Sequence, residues 1–158
     1  RFTAKKELLE KWYNRIPLKH IRTEFLDRFE ISKSVESTQR LSSILRAGNA
    51  LMFFVEGTFT RIPGLRPFLL GAFKVAAETD TPVIPVAISG TRSILRSGSW
   101  YPHYGSIDIN IGEAIDPRNI PGAAEKDTWH ISIELRDRSR EHISRHCGEP
   151  DLTQKGTQ

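Results

Sequence analysis

A short stretch after an apolar run combines the side chains that anion binding requires. Glu56, Gly57 and Thr58 come first, and Thr60 and Arg61 follow them. Glycine lets the backbone turn and present amide N–H groups, and nearby hydroxyl and guanidinium groups suit a phosphate. Glu56 would oppose an anion, so its carboxylate either fixes an arginine side chain or accepts a hydrogen bond from a substrate hydroxyl. The stretch indicates a phosphate pocket, while an ordinary turn with a solvated Arg61 explains the same residues.

The composition limits the kind of protein to which such a pocket could belong. With 158 residues, of which 38% are hydrophobic and 27% charged, the chain has the size and composition of one soluble globular domain. No stretch approaches the roughly 20 apolar residues of a membrane span. Cys147 is the single cysteine, which excludes an intrachain disulfide and a multi-cysteine zinc site and favours a reducing compartment. The net charge of +4 slightly favours phosphate-bearing partners, although a solvated basic surface accounts for it on its own.

Strand-like apolar runs alternate with helical periodicities along the chain. The predicted elements are helices over 5–12, 35–45, 68–79 and 127–146, and strands over 21–29, 50–55, 83–88 and 107–111. Ser34 and Gly48 fit the start and the end of the helix between them. The uninterrupted apolar run over 50–55 predicts a strand covered on both faces. This order favours one α/β domain with a central, mostly parallel sheet covered by helices.

Local residue patterns indicate the character of two predicted strands, over 83–88 and 107–111, and of the turn that follows the first. Pro85 lies inside the strand over 83–88 and implies an edge or a bulge, because proline cannot donate to a ladder. The alternation over 107–111 predicts a strand with one wet face. The turn over 89–92, Ser-Gly-Thr-Arg, is either a second anion-binding turn or a plain capped turn. Aromatic rings that could lie at a membrane interface or simply pack form one loop cluster: Trp100, Tyr101 and Tyr104.

The chain is predicted to close with a charged helix that packs on the domain. Its candidate anchors are Trp129, Ile133 and Ile143. Cys147-Gly148 and then Pro150 follow the helix and favour its termination there. We therefore predict a domain over residues 1–150 and a frayed tail over 151–158.

Three ordered motifs resemble those of the glycerolipid acyltransferases, the family that includes lysophosphatidate acyltransferase. FLDR at 25–28 is similar to the family's second motif, a short apolar run ending in arginine. FVEGT at 54–58 resembles its third motif, Phe-Pro-Glu-Gly-Thr, and VIPV at 83–86 resembles the fourth, which contains a proline. The resemblance covers residues 2–117 and implies an acyltransferase domain.

The resemblance assigns binding roles to particular side chains. In the family the second-motif arginine, here Arg28, helps bind the phosphate of the glycerol acceptor. Glu56, Gly57, Thr58 and Arg61 would shape the same acceptor pocket. Two positions depart from the family pattern: Val55 replaces the usual proline, and Phe59 stands where many members carry a phosphate-binding arginine. The resemblance therefore leaves that contact to Arg61, with the Phe59 ring free to line the acyl or acceptor pocket.

The family's catalytic pair is expected upstream of this chain, so the fragment alone is expected to be inactive. In the family an early His-x-x-x-x-Asp pair does this chemistry: the histidine removes the proton of the acceptor hydroxyl, and the aspartate orients the imidazole ring. That spacing occurs here at His103 and Asp108, but these residues follow the fourth motif instead of preceding the second. We therefore interpret them as a loop histidine and a surface carboxylate. His20 precedes Asp27 by seven residues and fails the spacing. The remaining histidines lie on the charged tail helix and are predicted to be solvated: His130, His142 and His146.

The resemblance also implies a reaction and its partners. It implies an O-acyltransferase of phospholipid synthesis, which moves a fatty acyl group from acyl-CoA or acyl carrier protein to a lysophosphatidate-like acceptor. The thioester is a co-substrate, so no cofactor or metal is implied. We expect a cytoplasmic protein in peripheral contact with the membrane, without nucleic acid, fused to or working with an acyl-activating enzyme. The alternative is a non-catalytic module that binds phosphate-bearing lipid or nucleic acid through its arginines.

Overall fold

The computed structural model describes residues 3–5, 24–26, 35–58, 60, 62–95, 101–123 and 127–153. Several predicted features lie outside these residues: the body of the helix over 5–12, Ser34, Arg28, Phe59, Arg61 and Trp100. Lys5, where that helix was predicted to begin, lies instead in a strand over Thr3–Lys5.

The described strands form two separate pairs. Strand β1 (Thr3–Lys5) runs parallel to β2 (Glu24–Leu26). Strand β3 (Val86–Ser89) runs antiparallel to β4 (Asp108–Ile111). The fold therefore combines helices with strands as predicted, but within the described ranges a central, mostly parallel sheet is not confirmed.

Two helices cover one side of the run over 50–55. Helix α1 (Val35–Arg46) ends before Gly48, whose φ of +77° confirms the predicted stop, and helix α2 (Gly71–Glu78) follows the loop. Helix α2 begins three residues later than predicted, and the buried Phe68 lies in the non-helical segment before it.

The run over 50–55 alternates between partly buried and exposed side chains. Leu51 and Phe53 pack against the cluster of Leu41 and Val75 that α1 and α2 form. Met52 and Phe54 are exposed instead. The prediction of a strand covered on both faces is therefore wrong for the described part of the chain, since α1 and α2 lie on one face only.

Proline interrupts the next strand as predicted. Val83 forms an isolated bridge with Ile115, and the β3 ladder begins only at Val86. Pro85 lies between them and uses only its carbonyl, which accepts from the Gly112 amide at 2.9 Å. Every side chain of β4 is exposed, so the predicted strand is present but its isoleucine face is not covered by the described residues.

Within the described residues, two further helices follow α2, and the longer of them packs against it. Helix α3 (Thr91–Ile94) is a single turn, and residues Pro117–Asn119 form a 3-10 turn. Helix α4 (Thr128–His146) is capped by Asp127, whose carboxylate accepts from the His130 amide. No helix within the described ranges has both the length and the apolar character that crossing a bilayer requires.

The buried face of α4 consists of two serines and one leucine. Ser132, Leu135 and Ser139 are its buried residues. The predicted anchor Trp129 is 52% exposed, because it lies about 120° around the helix from Leu135. Ile143 does pack against the core cluster, as predicted.

Residues 151–153 belong to the folded body rather than to the frayed tail predicted from residue 151. The Leu65 amide donates to Pro150 O at 2.8 Å, and the Leu152 amide donates to Leu65 O at 3.1 Å. These two bonds place the segment after α4 parallel to the chain at Leu65. Residues 154–158 lie outside the described ranges.

Candidate functional site

The 54–66 loop contains four of the five candidate binding residues and begins with a glycine turn. The Gly57 amide donates to Phe54 O at 2.9 Å, and the φ of Gly57 is +66°. A Cβ at this position would collide with the Leu69 side chain. The turn confirms that the position favours glycine, although the turn uses the Gly57 amide that was expected to face a ligand.

Glu56 closes this loop through the main chain. Its Oε2 accepts from the Arg66 amide at 3.0 Å. The Leu69 amide, just beyond the loop, donates to Val55 O at 2.8 Å. The carboxylate therefore holds the backbone of an arginine, where the sequence suggested that it could hold a guanidinium.

We expect Glu56→Ala to speed amide exchange at Arg66 by about tenfold, because the substitution removes the only described acceptor of that amide. Glu56→Gln is the matched control, since its amide oxygen can still accept. Site-resolved hydrogen exchange measures both variants. Equal protection in wild type and Glu56→Ala would show that the carboxylate does not brace the loop.

The hydroxyls of the loop differ in their surroundings. Thr60 Oγ1 accepts from the Ile62 amide at 3.2 Å, which forms a local turn. Thr58 is exposed. Of the five predicted binding residues, the structure thus places Glu56, Gly57 and Thr58 together, and Arg28 and Arg61 lie outside the described ranges.

Arg92 binds the loop from outside. Its Nη2 donates to Ile62 O at 3.2 Å and its Nη1 to Thr60 O at 3.5 Å. Its Nε donates to Glu149 Oε1 at 2.7 Å. In the turn over 89–92, predicted as a possible second anion site, Arg92 is thus engaged with the loop carbonyls and a carboxylate.

Arg140 holds the far end of the loop from helix α4. Its Nη1 donates to Arg66 O at 2.6 Å, and its Nη2 donates to Leu65 O at 3.3 Å and to Asp151 Oδ1 at 2.5 Å. The guanidinium carbon also lies 4.9 Å from the centre of the Phe68 ring. The hydrogen bond from Arg140 lowers the pKa of Asp151 to about 2, so this pair is charged at neutral pH.

Sequence reasoning missed Arg140, Glu149 and Asp151. Arg140 lies 74 residues after the arginine whose carbonyl it binds, so local patterns carry no sign of the contact. The one available signal was a basic residue on a helix next to an acidic segment, which describes many solvated helices as well.

The histidines of helix α4 have no described contact with the 54–66 loop. His130 pairs with Asp127 at 2.6 Å, and both side chains are exposed. The His142 ring lies 4.5 Å from the His146 ring, and His142 Nε2 is buried without a partner in the described structure. The prediction of a solvated side chain is thus wrong for His142.

Two further predictions concern the exposed loop and metals. The loop residues Tyr101 and Tyr104 are both strongly exposed, so the described structure does not support their packing in a core. Among the described residues, no cluster of three or more metal-ligating side chains is present.

Comparisons with known proteins identify relatives of this chain. The model of the family described as Acyltransferase matches residues 1–89. A putative 1-acyl-sn-glycerol-3-phosphate acyltransferase from Caenorhabditis elegans is 31% identical over 73% of this chain and 40% of that protein. The 1-acyl-sn-glycerol-3-phosphate acyltransferase of Haemophilus influenzae is 29% identical over 76% of this chain and 48% of its own length. The chain thus spans less than half the length of both relatives.

A solved structure has a similar fold. The crystal structure of the 1-acyl-sn-glycerophosphate (LPA) acyltransferase PlsC from Thermotoga maritima aligns with a TM-score of 0.68 and 25% sequence identity. The alignment covers 99% of this chain and 57% of that chain. The described helices and strands therefore have the arrangement of part of that fold.

Proposed function

Because this chain belongs to the acyltransferase family, we propose that it forms the acceptor-binding part of a 1-acylglycerol-3-phosphate O-acyltransferase. The protein transfers a fatty acyl group from acyl-CoA or acyl carrier protein to the free hydroxyl of a lysophosphatidate-like acceptor. The names of its relatives in Caenorhabditis elegans and Haemophilus influenzae support this acceptor class.

The observation that carries the proposal is the 54–66 loop, whose main chain is held at several points. Glu56 binds the Arg66 amide, and Gly57 turns the chain at its start. A loop fixed in this way presents its side chains to an acceptor without a large ordering cost at binding. We assign contact with the acceptor phosphate to Arg61 in this loop, together with Arg28, on the strength of the sequence motifs.

The reaction follows from the chemistry of the thioester. A general base removes the proton of the acceptor hydroxyl, and the oxygen bonds to the acyl carbon. The C–S bond breaks, and the base returns that proton to the sulfur, which leaves as the thiol. Because the thioester is already activated, no covalent acyl-enzyme and no cofactor is needed. We assign the base to a His-Asp pair that precedes the 25–28 motif, as in the family.

The proposal includes a membrane-peripheral site of action, because lysophosphatidate is a lipid. Tyr101 and Tyr104 are exposed on one loop, and such rings suit a membrane interface. The acyltransferase domain would extend over residues 1–150 together with the packed residues that follow. Supply of the thioester by an acyl-activating enzyme completes the proposed arrangement.

The direct test is acyl transfer by the full-length protein with two acceptors that differ in one group. We expect transfer from acyl-CoA or acyl carrier protein to lysophosphatidate, and far weaker transfer to monoacylglycerol, which lacks the phosphate. Transfer that is equally fast to both acceptors would remove the phosphate role. No transfer to either, combined with steeply salt-dependent binding of nucleic acid, would favour the non-catalytic alternative.

A further inference from the structure

The peptide between Leu65 and Arg66 is held from both sides. Its carbonyl oxygen accepts from Arg140 Nη2 at 3.3 Å, and its N–H donates to Glu56 Oε2 at 3.0 Å. The C=O and N–H of a trans peptide point in opposite directions, so these two side chains lie on opposite sides of the backbone. The end of the 54–66 loop is thus fixed between helix α4 and the start of the loop.

A second guanidinium holds the middle of the loop in the same way. Arg92 donates to the carbonyl oxygens of Thr60 and Ile62. The two arginines together bind the loop only through main-chain oxygens in the bonds described, so they fix its path whatever side chains it carries.

Carboxylates after helix α4 orient both guanidiniums. Glu149 accepts from Arg92 at 2.7 Å, and Asp151 accepts from Arg140 at 2.5 Å. The second pair is sheltered, with side chains 14% and 19% exposed. Charge-assisted bonds of this kind hold a planar guanidinium in one orientation.

The 54–66 loop lies within the residues that the family model matches. The two arginines that hold it lie outside that match. That match ends at residue 89, before Arg92 and Arg140. We propose that these two arginines are positioning residues for acceptor binding, and that the segment over 147–153 sets the affinity of the 54–66 loop for a phosphate-bearing acceptor. The inference rests on the proposed function, since it names what controls that same site.

Hydrogen exchange tests the positioning without a substrate. In the full-length protein we expect Arg92→Met to speed exchange at the Ile62 amide, and Arg140→Met to speed it at Arg66, each by about tenfold. Arg138→Met is the matched control, because Arg138 also pairs with a carboxylate on α4, Glu134, at 2.9 Å. Unchanged exchange at both loop amides would overturn the proposal.

Steady-state kinetics tests the link to the acceptor. We expect Arg92→Met and Arg140→Met to raise KM for lysophosphatidate by about tenfold, with KM for the acyl donor unchanged. Arg92→Lys should restore part of the affinity, since it keeps one charged donor. Equal losses for acceptor and donor, or a similar loss in Arg138→Met, would indicate general damage to the fold and would overturn the proposal.

The two measurements separate this inference from the proposed function. Wild-type protein that transfers nothing to lysophosphatidate would contradict the proposed function, and with it the acceptor part of this inference. Faster loop exchange with an unchanged acceptor KM in an active enzyme would show that the arginines hold the loop without controlling acceptor affinity, and would overturn this inference but not the proposed function. Thermal unfolding of each variant shows whether the protein is folded. If Arg92→Met is not folded, Glu149→Gln replaces it, since this variant weakens the Arg92–Glu149 pair more mildly.

Discussion

Replacing Gly90 with alanine is expected to lower the free energy of unfolding by about 3 kcal/mol and to weaken acceptor binding. Gly90 has a φ of +81°, which costs an L-residue about 1–2 kcal/mol. A Cβ there would also collide with the backbone oxygen of Ser106, which cannot rotate away as a side chain can. Forced overpacking of this kind costs a further 1–3 kcal/mol or so. Because Gly90 immediately precedes helix α3, which carries Arg92, the displacement would reach the 54–66 loop.

Gly48→Ala provides the matched control for this prediction. Gly48 has a φ of +77°, and an added Cβ would meet nothing within 4 Å. It therefore carries the backbone cost alone, about 1 kcal/mol. Equilibrium unfolding in urea measures both variants, and equal destabilisation would show that the contact with Ser106 is not restrictive.

Replacing Leu135 with alanine is expected to destabilise the fold by about 3 kcal/mol. Leu135 is 0% exposed and belongs to the main core cluster, where it packs with Phe68 and Phe73. Removing its side chain loses the burial of the removed atoms and leaves a cavity between α2 and α4. Phe68 follows the 54–66 loop directly, so we also expect weaker acceptor binding.

Leu95→Ala is the control for the core substitution. Leu95 is 54% exposed, so the same chemical change should cost about 0.5 kcal/mol. Urea unfolding midpoints compare the two variants at fixed pH. A Leu135→Ala midpoint within error of Leu95→Ala would contradict the assignment of Leu135 to the core.

Local signals predicted both ends of helix α4 well. Asp127 caps the start of α4 and Gly148 follows its end with a φ of +67°, both of which depend on residues next to each other in the chain. Pro85 predicted an irregular strand for an equally local reason, the missing N–H.

Burial could not be predicted in the same way, since it depends on what lies opposite each element. The apolar run over 50–55 is typical of a strand covered on both faces, yet α1 and α2 cover only one of them, and Phe54 is exposed. Trp129 is the largest side chain among the predicted anchors of α4, but the helical rotation turns it away from Leu135. Hydrophobic type alone did not give the direction of the side chain.

The candidate site was predicted in part. The sequence predicted one loop that contains Glu56, Gly57 and Thr58, with a backbone turn at Gly57. It could not show that Glu56 would bind a backbone amide, because the partner at Arg66 is selected by the path of the loop. Arg140 was missed for the same reason, since its contacts with the loop cross 74 residues of sequence.

The central claim, that the 54–66 loop binds the acceptor phosphate, is tested most directly by the acceptor KM of Arg61→Ala. A lost bond between charged groups costs about 1.5–3 kcal/mol, so we predict a rise in KM for lysophosphatidate of roughly 10- to 100-fold. Arg66→Ala removes the same charge farther along the loop and should change that KM much less. An acceptor KM in Arg61→Ala equal to that of wild type, or matched by Arg66→Ala, would contradict the account.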